Sequence, residues 1–190
     1  MIDRALVWFR RDLRDFDHAA LSHALMEARE VFCAFVFDRE ILDALPSPVD
    51  RRVEFIRESL CELDAALRAK GGGLIVRHAR AREAIPRLAT ELGVRAVYTN
   101  RDYEPVACAR DAAVARALAG EGIPLRTYKD HVIFERDEVL TQTGTPFGIF
   151  TPYKNAWRKT LTPLHLNAHP VDRHADRLAR PPAMESASIP

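Results

Sequence analysis

What this chain lacks narrows its function before any motif is read. No apolar run approaches the length of a membrane span, and residues 1–20 carry Asp3, Arg4 and a knot of arginines and aspartates where a signal peptide needs an apolar segment. A cytoplasmic or equivalent compartment, with no membrane partner, is the expectation. Charge of one sign is missing too: 28 Lys and Arg stand against 27 Asp and Glu, a formal balance of +1, so no global field draws the chain to nucleic acid. Cysteine is scarce, with Cys33, Cys61 and Cys108 too far apart for structural zinc or a redox pair; they read as small buried hydrophobes. Glycine is absent where a dinucleotide fold needs it, since the first apolar run is followed by RRDLRDFD. There is no G-x-S-x-G elbow and no H-E-x-x-H helix. The histidines, among them His18, His23, His165, His169 and His174, read as ordinary surface residues, and no metal site is expected.

What is present fits one well-buried domain: 190 residues, 47% hydrophobic and 29% charged. ALVWF (5–9) and VFCAFVF (31–37) are nearly continuous apolar runs, as in parallel strands covered on both faces. A helical pattern lies between them, and a clearer one spans 50–70, where Val53, Ile56, Leu60, Leu63 and Leu67 recur at three and four before Gly71–Gly73 stops the helix. LIVRH, VRAVYTN and IPLRTYK supply three further strands, separated by helices over about 80–92 and 106–119. Pro86 predicts a lead-in turn with a fresh helix starting near it, or a kink. The β-α alternation predicts a doubly wound, open, parallel five-stranded α/β sheet, Rossmann-like, with helices on both faces. The division expected is an α/β domain at 1–130, an extension at 131–160 packing on the sheet domain or a seam, and a linker, surface strap or flexible tail at 161–190.

In such a sheet ligands lie outside the strand carboxyl ends. Those ends carry Arg10, Arg11 and Asp12, then Asp38 and Arg39, then Asn100, Arg101, Asp102 and Glu104. Guanidinium groups there either meet acidic ligand parts or pair among the neighbouring aspartates in a solvated loop; composition leaves both open.

LVWFRRDLR (6–14), YTNRDYEP (98–105) followed by ARD (109–111), and FTPYKNAW (150–157), in this order, resemble the amino-terminal domain of the DNA photolyase and cryptochrome family. That resemblance implies an antenna-chromophore-binding domain. In complete members it is followed by a helical domain that holds FAD, the pyrimidine-dimer pocket and most of the DNA surface. The parent activity implied is that of a deoxyribodipyrimidine photo-lyase acting on ultraviolet-damaged DNA, with the chain alone monomeric and not catalytic. Alternatives are a cryptochrome-type blue-light photoreceptor and a stand-alone nucleotide-binding or protein-interaction module. Carried over by position, the chromophore cleft would be bordered by Arg11 and Asp12, by Val36, Phe37 and Asp38 with the loop from Ile41 to Val53, and by Asp102 and Glu104. Phe150, Tyr153 and Trp157 would pack at an interdomain seam. Two departures matter. Folate-binding members carry an Asn-Glu pair where this chain has Val106 and Ala107, so 8-hydroxydeazaflavin or FMN is expected over methenyltetrahydrofolate; LRDFDHAAL differs from the usual LRLHDNPAL, with Asp15 for an apolar residue and His18 for Asn.

Overall fold

The computed structural model describes residues 1–47 and 50–183. Pro48 and Val49 of the expected ligand loop, and residues 184–190 of the expected tail, lie outside the described residues. Five parallel strands form one sheet, β1 (Ile2–Phe9), β2 (Ala28–Asp38), β3 (Leu74–Ala79), β4 (Ala96–Asn100) and β5 (Leu125–Tyr128), in the order β3-β2-β1-β4-β5. The chain first steps outward through β2 to β3, then returns to lay β4 against the other side of β1. The order therefore reverses between β1 and β4, beside the knot of charge that follows Phe9.

Alternation along the strands builds two cores. Ala5, Val7 and Phe9 face α1 (Ala19–Glu27) and, beyond the short α2 (Arg39–Leu42), α3 (Arg51–Ala69), where Leu60, Leu63 and Leu67 are buried. Leu6 and Trp8 face α4 (Ala81–Glu91) and reach the cluster holding Val114 and Leu118 of α5 (Pro105–Gly120). The apolar runs are thus continuous because both faces are covered. Each fully buried aliphatic or aromatic side chain contributes about 1.5–3 kcal/mol.

Two expectations need correction. No fresh helix starts near Pro86: α4 runs through it from Ala81, with Ile85, Leu88 and Ala89 holding that helix on the sheet. Along the α3 stripe, Leu60, Leu63 and Leu67 are buried, while Val53 and Ile56 are partly buried and pack against the same core. Only Cys33 is buried; Cys61 is exposed and Cys108 half-buried.

Beyond β5 the chain forms α6 (Phe150–Thr160), with no buried residue, and then a strap along the α1 face. Val171 and Leu178 enter the core at 2% and 7% exposure. Leu178 bridges Val31 in parallel, Ala179 N–H donates to the Val31 carbonyl at 2.9 Å, and Ser22 Oγ donates to the Pro170 carbonyl at 3.1 Å. At Gly72 an added Cβ would lie 2.9 Å from the Leu178 Cβ, so the strap approaches the α3–β3 turn closely enough to need a residue without a side chain.

Candidate functional site

At the end of β1, Arg10 follows Trp8 onto the α4/α5 side. Its guanidinium lies 4.8 Å from the Trp8 ring centre and grips Asp111 of α5 through both carboxylate oxygens, at 2.6 and 2.7 Å, while its second terminal nitrogen donates to the Asn100 carbonyl. Arg110 adds a second guanidinium 5.1 Å from the same ring and also donates to Asp111. The ARD stretch thereby closes α5 onto the strand end.

Asp12 turns the other way, into a buried network on the α1 side. His18 caps α1: its Nδ1 accepts from Leu21 N–H at 3.0 Å, which leaves Nε2 to donate to Asp12 Oδ2 at 2.8 Å. Asn100 accepts from Ala20 N–H through Oδ1 at 2.9 Å and donates through Nδ2 to the same Asp12 oxygen. Arg10 N–H donates to Asp12 Oδ1 at 3.2 Å. Burial works to raise the Asp12 pKa, but the imidazoles of His131 and His18 more than offset it and hold this carboxyl well below its usual range. His18 is fully buried, which corrects its reading as a surface histidine; replacing the family's Asn, it both caps the helix and ties it to Asp12.

The residues expected to border a chromophore divide into groups. Arg11, Asp102 and Glu104 come together: Arg11 donates to Glu104 Oε1 at 2.7 Å and lies 3.5 Å from Asp102 Oδ2. Asp102 also accepts from Tyr103 N–H at 2.8 Å, fixing the turn into α5. Asp12, with the partners above, is not in that group. Asp38 ends β2, accepting from Glu40 N–H and Ala81 N–H through Oδ1, both at 3.2 Å; its Oδ2 is buried and has no partner among the described residues. An orphaned acceptor there suits a ligand donor such as a ring N–H. Val36 and Phe37 are buried in opposite cores, on the two faces of the sheet, so these two side chains are not brought together. Val106 is 78% exposed, whereas Ala107 is 6% exposed and turned inward.

In the extension, Phe150 is 72% and Tyr153 37% exposed. Trp157 packs edge-on against Phe134 at 5.5 Å, Phe134 meets His165 at 4.8 Å, and Tyr153 meets Phe147 at 6.1 Å. Ile149, Leu164 and Leu166 are also exposed, so a satellite cluster lies beside apolar surface.

The roles of His18, Asn100, Asp111, Asp130 and His131 were not legible in sequence. Position at a strand end or a helix start was the only signal for His18, Asn100, Asp130 and His131, whereas Asp111 lies within α5, in the ARD stretch.

The DNA photolyase family profile matches residues 5–175. The deoxyribodipyrimidine photo-lyase of Synechococcus sp. is 31% identical over 153 residues, 80% of this chain and 31% of that protein. The crystal structure of a class III photolyase from Agrobacterium tumefaciens superposes with a TM-score of 0.82 at 25% identity, covering 100% of this chain and 38% of that one. An archaeal photolyase from Sulfolobus tokodaii, solved with two FAD molecules, has a TM-score of 0.69 at 31% identity, covering 80% of this chain and 34% of its own. The chain spans about a third of the length of the curated relatives it matches. With its five-stranded parallel sheet and the charged switch point between β1 and β4, it belongs to the DNA photolyase family, as that family's amino-terminal α/β domain.

Proposed function

We propose that this domain binds an antenna chromophore at the carboxyl edge of its sheet and serves a DNA photolyase whose helical domain holds FAD. In the complete protein the chromophore would absorb light and pass the energy to FAD for repair of pyrimidine dimers. The observation that carries the ligand site is the unpartnered buried Oδ2 of Asp38, at the edge expected to receive the ligand. Arg11 and Glu104, both exposed, supply a charged rim able to bind ring or ribityl oxygens and hydroxyls.

The chromophore proposed is 8-hydroxydeazaflavin or FMN and not methenyltetrahydrofolate. Ala107 is turned inward and Val106 offers apolar contact only, so neither supplies the hydrogen bonds of the Asn-Glu pair. The photolyase from Sulfolobus tokodaii, described with two FAD molecules and the implication of a novel light-harvesting cofactor, supports a flavin-type second ligand. The helical domain is proposed to cover the face of α6 bearing Phe150, Tyr153 and Trp157. Damaged DNA is a partner of the complete protein, and the compartment proposed is the cytoplasm; no helix among the described residues is long and apolar enough to cross a membrane.

A fluorescence titration of the chain with FMN, a deazaflavin and a methenyl-folate, at one salt and pH, tests this reading. Folate binding at least about tenfold tighter than both flavin-type ligands, a preference of about 1.4 kcal/mol, reverses the ligand assignment. Flavin binding that survives Asp102→Ala with Glu104→Ala removes these two residues from the site.

A further inference from the structure

We propose that Asp12, Asp130 and His131 form a binding site for a divalent transition-metal ion, of the Zn2+ or Co2+ type, that fastens the loop after β5 to the end of β1. The chemistry is that of two carboxylates and one imidazole, a hard-to-borderline donor set suited to such ions. One ligand atom from each residue lies within 4.8 Å of the other two. In a formed site with metal-to-ligand distances of about 2.0–2.2 Å, neighbouring donors lie somewhat closer than this, so the side chains need only a small inward movement.

The independent observation is His131. Its Nε2 is buried and has no hydrogen-bond partner among the described residues, and it faces Asp12 Oδ2 across 3.7 Å, too far for a hydrogen bond. A buried ring nitrogen left unpaired costs free energy, and a cation between it and the carboxylates would satisfy it. The carboxylates are already positioned by other groups. Asp12 is oriented by His18, Asn100 and the Arg10 N–H, while Asp130 accepts from Arg14 Nη2 at 2.7 Å and from Ala19 N–H at 3.1 Å. These are supporting partners of the kind that fix ligands around a metal. Both carboxylate side chains are nearly enclosed, at 2% and 3% exposure. With the Arg14 cation counted, the two carboxylates leave one net negative charge for an incoming cation. Three protein ligands also leave a coordination position for water or an anion.

The test is calorimetric titration of the chelator-treated chain with Zn2+, and with Co2+ as an optical probe whose absorption reports coordination. Three chains are compared: the parent, His131→Ala, and a triple His165→Ala, His169→Ala, His174→Ala. His131 Nε2 makes no hydrogen bond that His131→Ala would break, although its imidazole helps hold Asp12 ionised, so circular dichroism and the melting curve establish that the variant folds before its metal binding is compared. The expected result is one equivalent bound by the parent and by the triple variant, a raised melting temperature with metal, and binding weakened at least about tenfold, or about 1.4 kcal/mol, in His131→Ala. No saturable binding by the parent, undiminished binding by His131→Ala, or binding lost only in the triple variant would each overturn the proposal. Asp130→Asn gives a second arm: if it folds, it too must bind at least about tenfold more weakly.

Discussion

Truncation of Leu178 to alanine tests whether the strap is an integral part of the domain. Leu178 is 7% exposed, bridges Val31, and seats its Cβ where any side chain at Gly72 would intrude. Leu178→Ala removes the three terminal carbons that this strap contributes to the α1/α3 core. Buried leucine-to-alanine changes cost about 2–5 kcal/mol, with the larger values where the surroundings do not collapse. A strap can follow the missing side chain inward more readily than a central strand, which points to the lower end, about 2–3 kcal/mol. In a chain of this size each kcal/mol moves the melting temperature about 2–4 °C, so a drop of roughly 5–10 °C is expected by calorimetry, with a matching fall in the urea midpoint. Leu164→Ala, at a position 79% exposed, is the control and should change stability by no more than about 0.5 kcal/mol. A Leu178→Ala loss as small as the control's would refute the packing argument and make this stretch a loosely held tail.

Other perturbations read other parts of the structure. The depressed pKa of Asp12 means that its contribution to stability is fully present above the unfolded carboxyl value of about 3.9 and is lost as pH falls through the lower folded value. Denaturation measured from pH 6 downward should therefore show a steeper acid loss in the parent than in Asp12→Asn. That variant should itself cost about 2–3 kcal/mol near neutral pH, because its amide NH2 must replace one carboxylate oxygen and face either the Arg10 N–H at Oδ1 or the His18 and Asn100 donors at Oδ2. His18→Ala should destabilise more than His18→Asn, since asparagine can still accept from Leu21 N–H as a helix cap; equal losses in chemical denaturation would remove capping from the account. Phe150→Ser, at a position 72% exposed, should alter the stability of this chain by no more than about 0.5 kcal/mol yet weaken its association with a separately produced helical domain, measured by calorimetry. Unchanged association would place the seam elsewhere.

The sheet was legible because its strands are covered on both faces: ALVWF and VFCAFVF have no polar alternation to confuse with loops, and glycines mark the turns before β3 and β4. At Pro86 the local backbone preference for a new helix start is overridden by the packing of Ile85 and Leu88 on the sheet. The strap was underestimated for a related reason. Val171 and Leu178 are isolated apolar residues in a Pro- and His-rich stretch, with no periodicity, and their burial depends on a groove built by residues far earlier in the chain. In the candidate site, the carboxyl-edge location of Arg11, Asp12, Asp38, Asp102 and Glu104 followed from strand ends alone. Direction did not: adjacent Arg11 and Asp12 turn to different partners, and the difference is set by His18, Asn100 and His131, brought in from three other segments. Pairwise chemistry of this kind leaves no spacing pattern in one sequence.

The most direct test of the antenna-domain account is a crystal structure of the chain saturated with FMN or the deazaflavin. The account predicts a planar ring at the carboxyl edge, with a donor within hydrogen-bond reach of Asp38 Oδ2 and polar groups of the ligand meeting the Arg11 and Glu104 rim. A flavin bound elsewhere on the domain, or an Asp38 Oδ2 still without a partner in the complex, would contradict it.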